Sequence, residues 1–310
     1  MSIFIITLNQ MIALFIIVMA GYILTRAKMI QKEWIDGLMK LLANFFLPVL
    51  IFNSLQLEIS PELAKNGLFF SWTYVVFCLV GMGLGLLFAK LFRIKNGSEL
   101  CCWASCSWIP NIAFVGVPII QVLLPPQALF YTSLSIVSSL LLTFTFGIFV
   151  MDLCSKKSGT KISAKTLLNP CTIALLLGFL TLFLDIPMPK ALLSATGMLT
   201  SATTPLAMLA IGSIMSRIPF RSIFSSWQIY VVLVIKLIIL PVIAYFVMSI
   251  FSPDYIFLAV FVISAAMPMP APLLASLTAH GGDLMWGTRF VVVSTLASII
   301  TLPVTVMLFL

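Results

Sequence analysis

The chain has 310 residues, of which 62% are hydrophobic and 8% are charged. Soluble domains carry about a quarter charged residues, so this composition excludes an ordinary soluble protein and predicts an integral membrane protein. The net charge of +8 comes from Lys and Arg residues in short connections rather than from a basic domain, which argues against nucleic acid as a partner.

Apolar runs of about 20 residues without alternation are typical of membrane-spanning helices rather than of a β-barrel. Ten spans are predicted in chain order, at 4–24, 38–57, 67–90, 100–124, 127–151, 167–184, 190–215, 223–250, 255–279 and 285–309. The first span lacks the basic segment of a signal peptide, so we expect it to be retained. The predicted fold class is an all-α integral membrane protein with ten transmembrane helices in a lipid bilayer.

The distribution of positive charge predicts the orientation of these spans. Thirteen Lys and Arg residues lie in connections after odd-numbered spans, whereas only Lys65 and Lys190 lie in the other connections. Positive connections stay in the cytoplasm, so both termini are expected on the non-cytoplasmic side of the inner or plasma membrane.

Two halves of the chain resemble one another. Pro48 matches Pro205 at an offset of 157, and Pro110 matches Pro268 at an offset of 158. We therefore predict a first five-helix repeat at 1–151, a polar cytoplasmic linker at 152–166 and a second repeat at 167–310. Because five is odd, the second copy enters the membrane the other way up, as in many secondary transporters.

Spans four and nine carry helix-breaking residues at equivalent positions. Span four contains "SWIPNIAFVGVPI" (107–119), and span nine contains "AAMPMPAPLL" (265–274). Broken helices at mid-depth are typical of transporter binding sites, because they expose helix N-termini that favour an anion. The alternative is that these prolines merely kink packed helices.

The substrate-binding candidates are the residues of both breaks and two basic residues within spans: Ser107, Pro110, Asn111, Gly116, Pro268, Met269, Pro270, Lys236 and Arg289. The hinge candidates are Pro110, Pro118, Pro268 and Pro272. Lys236 is the only charge deep within a span, so it is a functional candidate, although it can also snorkel or pair with a carbonyl. Arg289 suits cytoplasmic anchoring as well, and His280 is expected in a loop.

Neither a metal nor another cofactor is expected. The chain has six cysteines but one histidine, which disfavours a zinc site and favours cysteines as small packing residues. Every acidic residue falls in a connection or at a span end, which disfavours cation transport through a buried carboxylate.

Several stretches resemble the auxin efflux carrier family, in particular its bacterial members. They are "GYILTRAKMI" (21–30), "LLANFFLPVLIFNSL" (41–55), "PNIAFVGVP" (110–118), "LLNPCTIALLLGF" (167–179), "TTPLAMLAIGS" (203–213), "IKLIILP" (235–241) and "AAMPMPAPLLASL" (265–277). The resemblance implies spans four and nine crossing at a central site marked by Pro110, Asn111 and Pro268. It also implies a moving transport part and a homodimer through scaffold spans two and seven.

The resemblance implies organic-anion transport, of indole-3-acetate in plants and, by the usual label, of malate or malonate in bacteria. The chain differs from plant members in its short linker and in Met269, where they carry a polar residue. We predict a carrier of small mono- or dicarboxylates that works by an elevator-type movement, and not an enzyme. The alternatives are a sodium-coupled symporter of the bile-acid transporter type and a non-transporting membrane sensor or channel.

Overall fold

The structure is a computed structural model that describes residues 3–56, 61–155, 170–184, 186–216, 223, 226–251, 254–271 and 273–310, the side chains of 32, 61–64 and 275 excepted. Most of the predicted linker and the hinge candidate Pro272 lie outside the described residues.

Within the described residues the chain is helical and forms no strand. The helices are α1 (Ile3–Arg26), α2 (Glu33–Ser54), α3 (Pro61–Leu91), α4 (Gly97–Cys106), α5 (Ile112–Leu123), α6 (Ala128–Ser155), α7 (Pro170–Phe183), α8 (Lys190–Met215), α9 (Trp227–Phe251), α10 (Tyr255–Ala265), α11 (Leu273–Ala279) and α12 (Leu284–Phe309).

In the described part of the chain, seven helices are long and apolar enough to cross a membrane, namely α1, α2, α3, α6, α8, α9 and α12. The other three predicted spans contain shorter apolar helices: α5 in span four, α7 in span six and α10 in span nine. The protein is thus an all-α, multi-pass membrane protein, whereas ten complete spans and their inverted repeat stay predictions.

Two helices near the second break begin at an aspartate. Asp254 Oδ1 accepts a hydrogen bond from the Phe257 N–H (2.6 Å) at the start of α10, and Asp283 Oδ1 accepts one from the Trp286 N–H (2.9 Å) at the start of α12. Such caps satisfy an otherwise unpaired donor and place a negative charge at the positive end of the helix. They therefore fix where both helices start.

Four helices contain a π-helical turn, at Leu42–Phe46, Ile112–Gly116, Thr143–Gly147 and Ile235–Ile239. Three of these turns end two residues before a proline, at Pro48, Pro118 and Pro241. Proline donates no hydrogen bond and crowds the carbonyl four residues earlier, and the wider turn accommodates both effects. These prolines therefore remain inside helices.

The helices pack in two groups. The first group consists of α1, α2, α7 and α8, and the second consists of α3, α4, α6, α9 and α10, while α12 contacts α1 as well as α9. In the first group, Gly21 of α1 and Gly212 of α8 face the opposite backbone so closely that a Cβ at either position would overlap it. Glycine is needed there because small residues let membrane helices approach closely.

Aromatic rings hold the second group together. Phe70 of α3 contacts Tyr131 of α6 and Phe257 of α10 at centroid distances of 5.1 and 4.9 Å, and Tyr74 contacts Phe261 at 5.2 Å. All five residues are buried. Tilted and edge-to-face rings at these distances favour a well-packed unit.

Candidate substrate site at two helix breaks

Two helix breaks meet inside the protein. The first lies between α4, which ends at Cys106, and α5, which begins at Ile112, and the second separates α10 from α11. The backbone N–H of Asn111 donates a hydrogen bond of 2.7 Å to the Pro268 carbonyl. This bond satisfies groups that the breaks leave without a helical partner.

Asn111 is 1% exposed, yet neither its Oδ1 nor its Nδ2 has a hydrogen-bond partner among the described residues. Its carbonyl accepts the N–H groups of Val115 and Gly116, both at 3.2 Å, and so anchors the first turn of α5. Burying an amide without partners costs about 1–3 kcal/mol in protein mutational data. The side-chain amide is therefore available for a ligand.

Asn111 lines a cavity of about 140 Å³. Ala43 and Leu47 of α2 and Cys171 of α7 come from the first helix group, and the second break contributes Pro270. Further lining residues are Ile109, Pro110, Ile112, Ala113, Phe114, Ile136, Ser139, Leu140, Thr143, Phe144, Leu273 and Ser276. The cavity thus lies between the two groups and has mainly apolar walls.

The hydroxyl groups of the cavity are largely engaged. Ser139 Oγ donates to the Ile136 carbonyl (2.8 Å), and Thr143 Oγ1 donates to the Ser139 carbonyl (2.7 Å). None of the described lining residues carries a charged side chain. The Asn111 amide is therefore the main polar group that the cavity offers to a ligand.

Lys236 lies behind the first break and is not among the residues that line the cavity. Its Nζ donates a hydrogen bond of 2.8 Å to the Trp108 carbonyl, and the side chain is 1% exposed. A lysine near the C-terminal end of a helix stabilises carbonyls that lack helical donors. In this structure Lys236 therefore supports the end of α4.

Of the remaining candidates of the breaks, Pro110 and Pro270 line the cavity. Ser107, Gly116 and Pro268 are buried but are not among its lining residues. The Met269 N–H donates to Ser294 Oγ at 3.3 Å, which ties the second break to α12. Pro118 lies in the first turn after the π-helical turn of α5.

Arg289 and His280 lie elsewhere. Arg289 Nη1 donates to Ser226 Oγ (3.3 Å), and His280 Nδ1 lies 2.7 Å from Asp152 Oδ1 at the end of α6. Neither residue lines the cavity. Conversely, sequence reasoning missed Ser276 and Cys171, because one sequence does not show which helix faces meet.

All six cysteines lie in the described part of the chain, where each is buried and none takes part in a disulfide. The described residues contain no group of three or more His, Cys, Asp or Glu side chains that is able to hold a metal ion.

Comparison with known proteins identifies the family to which the chain belongs. A family model described as membrane transport protein matches the chain over residues 6–161 and over residues 151–306, whereas no curated protein matches it significantly. The matched segments cover nearly the whole chain and confirm the resemblance found in the sequence. The chain therefore belongs to the membrane transport protein family, which is the family of the auxin efflux carriers.

Proposed function

We propose that this protein is a secondary carrier for small organic anions and binds the carboxylate of its substrate at Asn111. The observation that carries the proposal is the buried Asn111 amide, which has no partner among the described residues and lines a cavity between two broken helices. A carboxylate accepts the hydrogen bonds that the Nδ2 group offers. Binding thereby satisfies a buried donor.

The first turn of α5 supplies a second attraction for an anion. Residues 112–114 line the cavity directly after Asn111, so the N-terminal end of α5 faces the substrate. A helix N-terminus carries a partial positive charge that stabilises negative groups. The carboxylate is thus held by a dipole and an amide rather than by a basic side chain.

The walls of the cavity favour an acid with one carboxylate and a short apolar body. Ile109, Ile136 and Leu140 surround the Asn111 amide with hydrocarbon. A second carboxylate would therefore be buried there without a hydrogen-bond partner. Among mono- and dicarboxylates, we therefore expect monocarboxylates to be transported better.

Transport follows from the position of the cavity between the two helix groups. In an elevator-type cycle, the second group carries the substrate past the first, which forms the scaffold and the homodimer through α2 and α8. Both termini lie on the non-cytoplasmic side of the inner or plasma membrane in this proposal. The arrangement that supports it is the wall formed by α2 and α7 opposite α5 and α6.

Uptake by proteoliposomes tests the function. Vesicles with the purified protein are given labelled acetate, malonate, malate or indole-3-acetate, with and without a Na⁺ gradient and with an imposed membrane potential. We expect saturable uptake that responds to the potential, needs no Na⁺ and is faster for the monocarboxylates. Absence of uptake of every acid contradicts the proposal, and strict Na⁺ dependence supports the symporter alternative.

A further inference from the structure

A second pocket lies between the same helix groups. It has a volume of about 200 Å³, and we call it the outer pocket. Its lining includes the polar residues Asn53, Ser54, Gln56, Gln121 and Thr200. Five polar side chains at one place are unusual for apolar helices in lipid, where each needs a partner.

The outer pocket continues the line of the cavity along two helices, α5 and α6. On α6 the pocket contacts Leu129 and the cavity begins at Ile136, a separation of about 10 Å at 1.5 Å per residue. On α5 the pocket begins at Val117, three residues after Phe114 of the cavity. Both spaces therefore lie on one path between the helix groups.

The same helices place the outer pocket away from the linker. α6 runs from Ala128, beside the pocket, to Ser155, which lies within the first residues of the predicted linker. The cavity residues of α6 lie between these two ends. The outer pocket therefore faces the side of the membrane opposite the linker.

A thin layer separates the two spaces. Leu50 and Val117, at the inner end of the pocket, are 1% and 6% exposed. Ser133 of α6 lies between Leu129 of the pocket and Ile136 of the cavity, and its Oγ donates a hydrogen bond of 2.6 Å to Ser54 Oγ of the pocket lining. In this conformation the path is closed at that layer.

The polar groups of the outer pocket are only partly engaged. Asn53 Oδ1 accepts a hydrogen bond from Thr196 (2.8 Å), and Gln56 Nε2 donates one to Thr181 Oγ1 (3.0 Å). Thr200 Oγ1 is buried and has no partner among the described residues, whereas Gln121 is exposed. The pocket thus offers neutral hydrogen-bond donors.

We propose that the outer pocket is a second binding station for the carboxylate, through which the substrate enters or leaves on the side opposite the linker. The inference rests on the proposed function, since it assigns a further site to the same substrate. Neutral donors hold a carboxylate more weakly than a basic side chain does, so the anion is released readily. Asn53 and Thr200 are the residues that contact it, and Gln121 is the exposed residue of the pocket lining.

Protection of an introduced thiol tests this station separately from transport. Gln121→Cys is modified with a membrane-impermeant thiol reagent in increasing acetate or indole-3-acetate, with chloride balancing the anion concentration. All six native cysteines are buried, which limits background reaction. A bound acid excludes the reagent, so at four times its dissociation constant modification slows about fivefold. The matched control is Gln127→Cys, exposed at the start of α6 but outside the pocket.

The same measurement in an Asn111→Ala background separates the two sites. We expect protection of Gln121→Cys to remain, because the outer pocket binds independently of the cavity, and we expect none at Gln127→Cys. Loss of protection in that background, or its absence in both, overturns the second station. If the proposed function is wrong, the wild-type protein takes up none of the acids in the proteoliposome experiment, which is a separate measurement from thiol protection.

Discussion

Lys236 and Asn111 lie on either side of the first helix break and have different partners. Lys236 Nζ donates to the Trp108 carbonyl, while the side chain of Asn111 has no partner among the described residues. A side chain that already donates a hydrogen bond to a backbone carbonyl has fewer donors left for a ligand. We therefore assign Lys236 to positioning the break and Asn111 to the substrate.

Replacing Lys236 by methionine tests this assignment. The Trp108 carbonyl then loses its buried donor, which costs about 1–3 kcal/mol. We expect kcat to fall about tenfold with little change in KM, since a barrier change of about 1.4 kcal/mol is tenfold in rate. Initial rates of uptake and the thermal midpoint measure both effects.

The control for this experiment is Lys90→Met. Lys90 is exposed at the end of α3, so its removal should leave uptake unchanged. If KM rises tenfold in Lys236→Met while kcat stays constant, the lysine acts on the substrate and our assignment is wrong.

At the scale of residues, the sequence predicts the role of Asn111 but not the partner of Lys236. Asn111 stands out because an amide beside proline in an apolar run needs a partner, and that reasoning requires no structure. The contact between Lys236 and Trp108 spans 128 residues, so no local pattern reveals it. The same limit hides Cys171 and Ser276, which reach the cavity from two different helices.

Two glycines on facing helices allow the backbones of α1 and α8 to pack closely together. Gly212 lies against the Val18 carbonyl and Gly21 against the Leu209 carbonyl, and Ser213 Oγ donates to the Gly21 carbonyl at 3.3 Å. Such contact depends on backbone approach, which a single methyl group prevents.

Gly212→Ala should therefore lower the stability of the protein. Its Cβ would overlap the Val18 backbone, and overpacking costs about 1–3 kcal/mol, more than the gain of about 0.5–1 kcal/mol from removing a helical glycine. We expect a lower thermal midpoint in detergent. Gly197→Ala on the same helix is the control, because no atom lies within 4 Å of its added Cβ.

A lower midpoint in Gly197→Ala, or an unchanged one in Gly212→Ala, would contradict this account of helix packing.

At the scale of elements, apolar length locates the seven long helices but not every boundary. α7 has 14 residues, and spans four and nine are divided by their proline-rich segments into helices of 7–12 residues. Proline and glycine in an apolar run predict such interruptions. They do not predict that three prolines stay helical behind π-helical turns, since that depends on how neighbours pack.

The whole molecule divides into two helix groups with the cavity between them. The aromatic contacts among α3, α6 and α10 make the second group compact, whereas the cavity and the outer pocket leave space along the contact with the first group. The resemblance to the auxin efflux carriers implies such a division, but apolar and polar patterns alone do not give it, because it results from contacts between distant helices. In the proposed elevator cycle, the groups slide past one another at this contact.

A disulfide between the groups should stop transport. Ser54 and Ser133 belong to α2 and α6, and their Oγ atoms lie 2.6 Å apart, near the length of a disulfide of about 2.05 Å. With both residues changed to cysteine, we expect oxidation to abolish uptake and reduction to restore it.

A matched pair within the second group serves as the control. Ser135 and Ser264 place their Oγ atoms 3.3 Å apart on α6 and α10, which move together in the proposed cycle. Ser135→Cys with Ser264→Cys should keep uptake after oxidation. Full uptake by the oxidised Ser54→Cys and Ser133→Cys protein would rule out sliding at this contact.

The central claim, that Asn111 holds the anion where the two helix breaks meet, is tested most directly by substrate-induced charge movement. Proteoliposomes on a solid-supported membrane receive rapid jumps of acetate, malonate, malate or indole-3-acetate, and the wild type is compared with Asn111→Ala. Asn44→Ala, an exposed asparagine of α2 outside the cavity, is the matched control. The account predicts a carboxylate-specific current that Asn44→Ala keeps and Asn111→Ala loses, and a current unchanged in Asn111→Ala would contradict it.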